Sequence, residues 1–298
     1  MGREQEFRYR VVDVFTEHPL EGNALAVFPD AAALDSATMQ RIARELNLAE
    51  TAFVLPSTRS DCAARVRIFT PAKEMIFAGH PTIGTAFVLL DEGLVPGTMG
   101  DFILEENIGP VSVRVEPGAR PMLWLKTPSI EVGRCYDPAL CASVLGLATQ
   151  DLLDIPPQRL SAGNPTIFVA LRDRAAADRA WLDLTGMRQL RGSDPELACV
   201  FVFTPTTQGA YSRMFAPEYG VAEDPATGSS TGPLVAFMMR HGLAANAAGT
   251  RLISEQGTKM GRRSLLHVHV CGDRGADGIE VGGHVTPLVT ATMSLPAR

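Results

Sequence analysis

Three ionisable side chains in this sequence lie beside short turns where a small ligand could react. His80 lies between a glycine and a proline in AGHPTIG, and Asp224 precedes a proline in EDPATG. Glu50 ends the short connection NLAE, just before the apolar run TAFVL. Imidazole and carboxylate groups are frequent general acids and bases in enzymes. The three residues are therefore candidates for proton transfer.

The position of Glu50 favours a general base. A carboxylate at the mouth of a buried strand is partly desolvated, and desolvation raises a carboxyl pKa towards the values that a base needs. The alternative is a solvent-facing loop glutamate. His80 has the alternative of a hydrogen-bonded structural histidine, and Asp224 that of a helix N-cap.

Each of the two turns precedes an apolar run of helical character, TAFVLLDEGL after His80 and TGPLVAFMMRHG after Asp224. Proline suits the first helical turn because the N–H that it lacks would have no partner there. Free backbone N–H groups and the positive end of the helix dipole together bind a carboxylate. The N–H groups expected at the two helix starts are those of Gly79, His80, Gly228, Ser229 and Ser230.

The hydrophobic pattern predicts the elements that position these residues. The expected strands, rich in β-branched and aromatic residues, cover 9–15, 23–28, 51–55 and 65–69. A helix is expected between the second and third strands, with Asp35 or Ser36 as its N-cap. Its buried face consists of Met39, Ile42, Ala43 and Leu46.

Three short patterns recur in the same order in both halves of the chain. By subtraction, Gly163-Asn164 follows Gly22-Asn23 by 141 positions, and RMFAP follows RIFTP by 146. The third pair is HPTIG, from His80, and DPATG, from Asp224, at an offset of 144. Ordered matches at a nearly constant offset predict two homologous α/β halves.

The segment 117–130 is rich in proline and glycine, which is typical of a domain crossing. We place the halves at 1–122 and 123–298, with the last strand able to return to the N-terminal half. If a pseudo-twofold axis relates the halves, the matching loops face one cleft. Ligands favour clefts of this kind.

Composition excludes several classes of function. The formal net charge is −6 and no cluster of lysine and arginine occurs, so neither nucleic acid nor a membrane surface is an expected partner. No run of about 18 apolar residues occurs, which predicts a cytoplasmic protein without a signal peptide or membrane span. The cysteines show no C-x-x-C pair, which predicts reduced thiols without a zinc cluster. They are Cys62, Cys135, Cys141, Cys199 and Cys271.

Two further patterns suggest other chemistry. GSSTG satisfies the G-x-S-x-G expression of serine hydrolases, with Ser230 as nucleophile, but the preceding APEYGVAEDPAT has the character of a polar loop and not of a buried strand. His267 and His269 share one strand face and could bind a metal with His284, although a half-exposed strand face is the simpler interpretation. A phosphate loop is disfavoured because the Walker lysine is missing. We expect neither a metal nor a cofactor.

Four segments together resemble the PhzF family, which is named for the phenazine-biosynthesis isomerase and shares the diaminopimelate epimerase fold. They are EGNALAVF, LNLAETAFV, RIFTPAKEMIFAGHPTIGTA and GVAEDPATGSSTG. The resemblance spans nearly the whole chain. It implies an α+β fold of two homologous domains related by a pseudo-twofold axis, each an antiparallel sheet wrapped around a central helix. It also implies a homodimer, an active site between the domains and cofactor-free isomerisation by proton transfer at carbon.

The resemblance also implies roles for individual residues. The proton-shuttling glutamate of the family corresponds to Glu50, and its substrate-contacting histidine and aspartate correspond to His80 and Asp224. The small-residue turn of the family corresponds to Gly228 and Ser229.

Two departures from related patterns are informative. The loop asparagine of the family's GNP motif corresponds to Asn23, but Ala24 replaces the proline, which affects only local stiffness. Epimerases of the same fold carry a cysteine in each repeated loop, whereas the loops around His80 and Asp224 contain none. A racemase with two catalytic thiols is therefore not expected.

The sequence thus predicts a cofactor-independent isomerase that moves a proton on a small carboxylate-bearing substrate, with Glu50 as base. His80 and Asp224 orient the substrate, and His80 is able to assist as an acid. Two alternatives stay open: an amino-acid epimerase that uses Glu50 with His80 or Asp224, and a protein that binds a small ligand without catalysis.

Overall fold

A computed structural model describes residues 4–95, 100–192, 194–271 and 278–296. The chain forms two compact units. The first unit comprises Met1–Leu125 and Gly282–Arg298, and the second unit comprises Lys126–Val281. Among the described residues, no helix is both long and apolar enough to cross a membrane.

Strands dominate both units. In chain order they are β1 (Glu4–Val14), β2 (Asn23–Phe28), β3 (Glu50–Leu55), β4 (Ala64–Phe69), β5 (Glu74–Met75), β6 (Phe102–Glu106), β7 (Gly109–Glu116), β8 (Met122–Lys126), β9 (Glu131–Cys135), β10 (Gln158–Ser161), β11 (Thr166–Ala170), β12 (Cys199–Thr206), β13 (Gly209–Ala216), β14 (Val221–Asp224), β15 (Arg251–Gln256), β16 (Ser264–Val270), β17 (Ile279–Gly283) and β18 (Val285–Pro296). The helices are α1 (Ser36–Leu46), α2 (Gly79–Asp91), α3 (Pro138–Val144), α4 (Arg174–Arg179), α5 (Leu184–Arg191) and α6 (Gly228–Arg240).

The two units repeat one pattern of strand pairing. In the first unit, β1–β2 is antiparallel, β2–β3 parallel, β3–β4 antiparallel, β4–β6 parallel and β6–β7 antiparallel. In the second unit, β10–β11, β11–β12, β12–β13, β13–β15 and β15–β16 follow the same order of directions. Each parallel step needs a crossover, and a helix lies in each of these connections. The expectation of two homologous halves is confirmed by this shared pattern.

Helix α1 forms where the sequence predicts it. The Asp35 side chain caps its start by accepting a 2.8 Å hydrogen bond from the Thr38 N–H, and Asn47 ends it in the left-handed conformation. Its buried face contains Met39, Ile42 and Ala43. This face packs on Phe28, Phe53 and Phe69 of the sheet.

Helix α2 is the central helix of the first unit. Ten of its thirteen residues are buried, which is typical of a helix enclosed on most sides. It packs on β1, β2 and β3, and a Cβ added at Gly84 would lie 2.6 Å from the Leu25 side chain. The absence of a side chain at Gly84 therefore lets the helix approach the sheet face opposite to α1.

Helix α6 takes the corresponding place in the second unit. It also has thirteen residues, ten of them buried, and it packs on β10, β11 and β16. Phe237 of α6 contacts the rings of Phe168 and Phe203 on the sheet. A second core on the other sheet face includes buried residues of α3, α4 and α5.

Candidate active site

Glu50 is the first residue of β3, and strand alternation turns its side chain towards α2. Successive side chains of a strand point to opposite faces. Phe53 packs against α1, so Glu50, three positions earlier, lies on the opposite face with Leu25 as its partner in the parallel register. The Glu50 side chain is 17% exposed, which agrees with the expected partial desolvation.

His80 is the second residue of α2, and its side chain is almost completely buried. Its Nδ1 lies 3.2 Å from Nδ2 of Asn23, the first residue of β2. An amide nitrogen donates and does not accept, so Nδ1 is the acceptor and the remaining ring proton of a neutral imidazole lies on Nε2. Asn23 thus selects the tautomer and fixes the ring plane.

The Nε2 atom of His80 lies 3.2 Å from Oε2 of Glu50. A carboxylate at this distance favours a charged imidazole, but complete burial of the ring outweighs it and lowers the pKa of His80 to about 3. The histidine is therefore a neutral group whose Nε2 is in close contact with the carboxylate, outside hydrogen-bond geometry. Asn23, Glu50 and His80 come together from β2, β3 and α2.

Asp224 is the last residue of β14 and lies in the second unit. Its Oδ2 accepts a 2.5 Å hydrogen bond from the hydroxyl of Thr227, and its backbone carbonyl accepts one from Nε2 of Gln256. The N-cap of α6 is Thr227 and not Asp224. Asp224 is therefore held in place without capping the helix.

The two central helices do not start at the equivalent positions that the pairing of HPTIG with DPATG predicts. Pro81 lies in the first turn of α2 as expected, whereas Pro225 lies before α6 begins at Gly228. Arg67 pairs with Glu74, and Arg213 pairs with Glu223. By subtraction the offset thus changes from 146 at the arginines to 149 at the glutamates, because the turn Pro217–Tyr219 is inserted in the second unit.

With the offset of 149, the counterpart of Gly79 is Gly228 and that of His80 is Ser229. The first backbone N–H groups of a helix have no carbonyl one turn earlier to which they can donate. At the starts of α2 and α6 these are the N–H groups of Gly79 and His80 in one unit and of Gly228 and Ser229 in the other, as the sequence predicts. The expectation that the two helix starts share one cleft stays a prediction.

Ser230 does not have the environment of a hydrolase nucleophile. Its side chain is buried, and its hydroxyl lies 3.2 Å from that of Thr166. The segment before α6 contains the short strand β14, which the sequence interpretation treated as loop. Asp224, the last residue of that strand, still lies four positions before the helix, so no strand leads directly into Ser230 as in a nucleophile elbow.

Glu106, the last residue of β6, is a buried acid that sequence reasoning missed. It is 4% exposed, and burial raises its pKa to about 8. Its Oε1 lies 2.5 Å from the hydroxyl of Thr82, in the first turn of α2. The alternation of FILEE, which buries Leu104 and Glu106 together, was a signal for this position.

The histidines considered as metal ligands are arranged differently from the expectation. His267 and His269 do share one face of β16, but Nδ1 of His284 donates to the Pro121 carbonyl in the first unit. His269, Cys271 and Glu280 instead have ligand atoms within 4.8 Å of one another. Within residues 4–95, 100–192, 194–271 and 278–296, this is the one such group, and its donor types suit zinc.

Comparison with known proteins finds relatives that agree with one another in family. The profile of the phenazine biosynthesis-like proteins, PhzC-PhzF, matches residues 12–291. The trans-2,3-dihydro-3-hydroxyanthranilate isomerase of Pseudomonas aeruginosa is 36% identical over 282 residues, covering 93% of this chain and 95% of the relative.

Solved structures agree. A protein of Pseudomonas aeruginosa described as a predicted epimerase has a TM-score of 0.82 and 34% identity, over 98% of this chain and 100% of the other. A PhzF-family protein of Bacillus anthracis has a TM-score of 0.87 at 23% identity, over 98% and 99% of the two chains. The expected α+β, diaminopimelate epimerase-like fold class is confirmed.

Proposed function

Because the chain belongs to the PhzC-PhzF family of phenazine biosynthesis-like proteins, we propose that it is a cofactor-independent isomerase with Glu50 as its base. The substrate is a small acid with a proton on a carbon next to a double bond or carbonyl group. The observation that carries this proposal is the contact of 3.2 Å between Glu50 and a histidine that Asn23 holds in one tautomer.

The proposed reaction moves one proton and leaves the atom and electron count unchanged. The Glu50 carboxylate removes a proton from one carbon, and the electron pair left behind delocalises through the adjacent double bond. Glu50 then returns the proton to the carbon at the other end of that system, so the double bond shifts. One group serves as base and then as acid, as general acid–base catalysis allows.

His80 assists this cycle as a neutral donor. Its Nε2–H lies close enough to Glu50 to donate to the carboxylate once the substrate-bound site tightens, and burial keeps the ring uncharged because its pKa lies at about 3. A charged imidazolium would lower the basicity of Glu50, since an opposite charge favours the carboxylate form. The neutral tautomer that Asn23 selects thus orients the base and preserves its affinity for a proton.

The helix starts and Asp224 supply binding groups in this proposal. The N–H groups of Gly79 and His80, and those of Gly228 and Ser229, suit carboxylate oxygens. Asp224, held by Thr227, orients a polar substituent such as an amino or hydroxyl group. Ser230 is not among these binding groups, contrary to the sequence expectation, because its hydroxyl lies against that of Thr166 and its backbone N–H donates to the Thr227 carbonyl.

The first compound to test is trans-2,3-dihydro-3-hydroxyanthranilate, on which the Pseudomonas aeruginosa relative acts. Purified protein is mixed with this acid and products are separated by chromatography and identified by mass and NMR. We expect an isomer of unchanged mass in water and wild-type turnover for Glu45→Gln, an exposed glutamate five positions before Glu50. Glu50→Gln, which keeps shape and removes the base, should abolish turnover. Wild-type rates in Glu50→Gln would refute the assignment.

Epimerisation is the second candidate, favoured by the similarity to the structure described as a predicted epimerase. The same reaction mixtures, run in D2O and analysed by chiral chromatography, separate the outcomes. A shifted double bond identifies an isomerase, and an inverted carbon identifies an epimerase. If the protein binds small acids of a library but forms neither product from any of them, the result would support a function in ligand binding without catalysis.

The homodimer implied by the resemblance is likewise a proposal. Size-exclusion chromatography with light scattering should give a mass near twice the 31.9 kDa of one chain. A monomer at micromolar concentration would contradict it.

A further inference from the structure

Glu106 lies in the first unit behind the first turn of α2, away from any solvent. Its Oε1 is 2.5 Å from the Thr82 hydroxyl, and its Oε2 is buried without a hydrogen-bond partner. The same Thr82 hydroxyl is 2.7 Å from the carbonyl of Ala78, the N-cap of α2. Thr82 thus lies between two oxygen atoms, one of Glu106 and one of Ala78.

The number of protons decides the state of Glu106. A threonine hydroxyl carries one hydrogen, and a backbone carbonyl can only accept. If the Thr82 hydrogen goes to Ala78, the short contact with Glu106 needs a second hydrogen, which only a protonated carboxyl group can supply. An ionised Glu106 would instead place two acceptors against one hydrogen and leave a charged, buried oxygen without a partner, which is unfavourable.

The second unit holds a neutral side chain at the corresponding place. Gln256 ends β15, the strand parallel to β13, as Glu106 ends β6, the strand parallel to β4. Nε2 of Gln256 donates 3.0 Å to the hydroxyl of Thr227, the N-cap of α6. In the second unit, a neutral donor thus supports the start of the central helix.

We propose that Glu106 is a protonated carboxylic acid that donates to Thr82 and so positions the first turn of α2, keeping His80 against Glu50. It is a positioning residue, because it acts on the reaction through Thr82 and His80. The catalytic part of this inference rests on the proposed function. Deprotonation of Glu106 breaks the relay from Glu106 through Thr82 to Ala78, and the first turn loosens.

The neighbouring titratable groups do not account for the proton. On α2, His80 lies two residues before Thr82, and burial keeps it neutral. Arg67 of β4 and Glu74 of β5 form a bidentate pair with each other, and Glu105 of β6 accepts from Ser57 and Thr58. Burial is the largest cause of the raised pKa of Glu106, at about 8, and the Thr82 hydroxyl opposes it.

Infrared spectroscopy tests the protonation without any substrate. The difference spectrum of wild type minus Glu106→Gln, recorded in D2O near pH 6, should show the carbonyl stretch of a protonated carboxylic acid. That band should convert to carboxylate bands as the pH rises through about 8. Glu105→Gln is the matched control, because Glu105 has a lowered pKa and should show carboxylate bands only. A carboxylate spectrum for Glu106 at pH 6 would overturn the inference.

Thermal unfolding provides a second readout. The folded-state pKa lies above the unfolded value of 4.5, so the stabilisation is complete below 4.5 and is lost as the pH rises through about 8. The wild-type Tm should therefore fall more steeply between pH 5 and pH 9 than the Tm of Glu106→Gln. Equal slopes in the two proteins would contradict the inference.

The positioning role is tested by kinetics on trans-2,3-dihydro-3-hydroxyanthranilate. We expect kcat/KM of wild type to fall about tenfold per pH unit above the Glu106 pKa. Glu106→Gln, which mimics Gln256, should keep kcat/KM within about threefold of wild type at pH 7 and should remove that fall. Thr82→Val should lower kcat at least about tenfold with little change in KM, and Thr82→Ser should restore it.

These experiments distinguish the inference about Glu106 from the proposed function. If no compound is turned over, the infrared and Tm measurements still decide the state of Glu106. If the compound is turned over, an alkaline fall that persists in Glu106→Gln would overturn the positioning role and leave Glu50 as the base. Should Thr82→Val fail to fold, Thr82→Ser and Glu106→Gln carry the kinetic test.

Discussion

The first residues of β3 and β12 occupy the same place in the two units but carry different chemistry. Glu50 begins β3 beside Leu25, and Cys199 begins β12 beside Thr166 in the same parallel register. Glu50 faces a histidine, whereas the Cys199 thiol donates to the side-chain oxygen of Asn164. One scaffold thus presents an ionisable pair in the first unit and neutral polar groups in the second.

The same contrast holds at two further places. His80 of α2 has Ser229 of α6 as its counterpart, and buried Glu106 has Gln256. The exception is Asp224, an ionisable residue at the place of Met75, where each ends the strand paired with β4 or β13. Under the proposed function, this difference assigns proton transfer to the first unit and mainly binding groups to the second.

The largest expected effect comes from removing the carboxylate of Glu50, on which the difference between the two units depends. Glu50→Gln should lower kcat by about 10²–10⁴-fold, the usual contribution of general acid–base catalysis. Cys199→Ser, the matched change in the second unit, should stay within about threefold of wild type. Steady-state kinetics with the acid that serves as substrate measures kcat of both variants. Equal losses would show that the two strand starts share the chemistry.

The paired arginines test the comparison through stability. Arg213 is 8% exposed in its side chain, pairs with Glu223 and donates to backbone carbonyls of Ala177 and Ala180. Arg213→Met should destabilise the protein by about 3–5 kcal/mol, because it leaves a buried carboxylate and several acceptors unpaired.

Arg67 forms the equivalent pair with Glu74 but is 16% exposed and has fewer buried acceptors. Arg67→Met should cost only about 1–3 kcal/mol, the range of hydrogen bonds to charged groups. Urea unfolding curves with a common m-value give both differences. A larger loss for Arg67→Met would contradict the difference in burial.

The glycines of the two central helices should respond unequally to alanine. A Cβ at Gly232 would lie 2.3 Å from Oγ1 and 3.0 Å from Cβ of Thr127, so Gly232→Ala should cost about 1–3 kcal/mol through overpacking. At Gly84 the nearest contacts are the buried methyl groups of Leu25 and Val14, at 2.6 and 2.8 Å, which are less tight than the contacts at Gly232. The gain in helix propensity, about 1 kcal/mol, should offset part of this overpacking, so Gly84→Ala should destabilise the protein less than Gly232→Ala. Thermal unfolding ranks the two variants.

The last expected effect concerns His80 at acid pH. Its folded-state pKa, about 3, lies below the unfolded value of 6.5, so the unfolded chain binds a proton that the folded protein does not. Stability should therefore fall by about 1.4 kcal/mol per pH unit from this residue between pH 6.5 and pH 3. His80→Asn should remove that slope, whereas Ser229→Ala should not change it. Urea unfolding at pH 6.5, 5.5 and 4.5 checks the difference.

Local features were predictable where local forces decide them. Asp35 accepts from a backbone N–H three residues ahead, so the start of α1 depends on neighbours in sequence. The alternating and apolar runs predicted β2 with its observed bounds and β4 to within one residue. The order of the repeated patterns also predicted two homologous halves, because each pattern belongs to one repeated element.

The residue-by-residue correspondence between the two halves could not be predicted from the sequence. The turn Pro217–Tyr219 changes the offset inside the second half, and short five-residue matches such as HPTIG and DPATG do not register that change. Arg67–Glu74 and Arg213–Glu223 reveal the correct offset only through their side-chain contacts. The alignment of His80 with Asp224 was therefore wrong by five positions by subtraction, although both residues remain candidates on their own contacts.

By itself, the sequence determined the fold class, the family, the strands and helices around the candidate site and the identity of Glu50 as the candidate base. These depend on periodicity, turn chemistry and motifs that are local along the chain. Only the tertiary structure decided that Glu50 lies 3.2 Å from His80, that Asn23 selects the histidine tautomer, and that Glu106 lies buried beneath Thr82. The reason is physical: distance, burial and proton count depend on side chains from β2, β3, β6 and α2 that meet only when the sheet and its helix have packed.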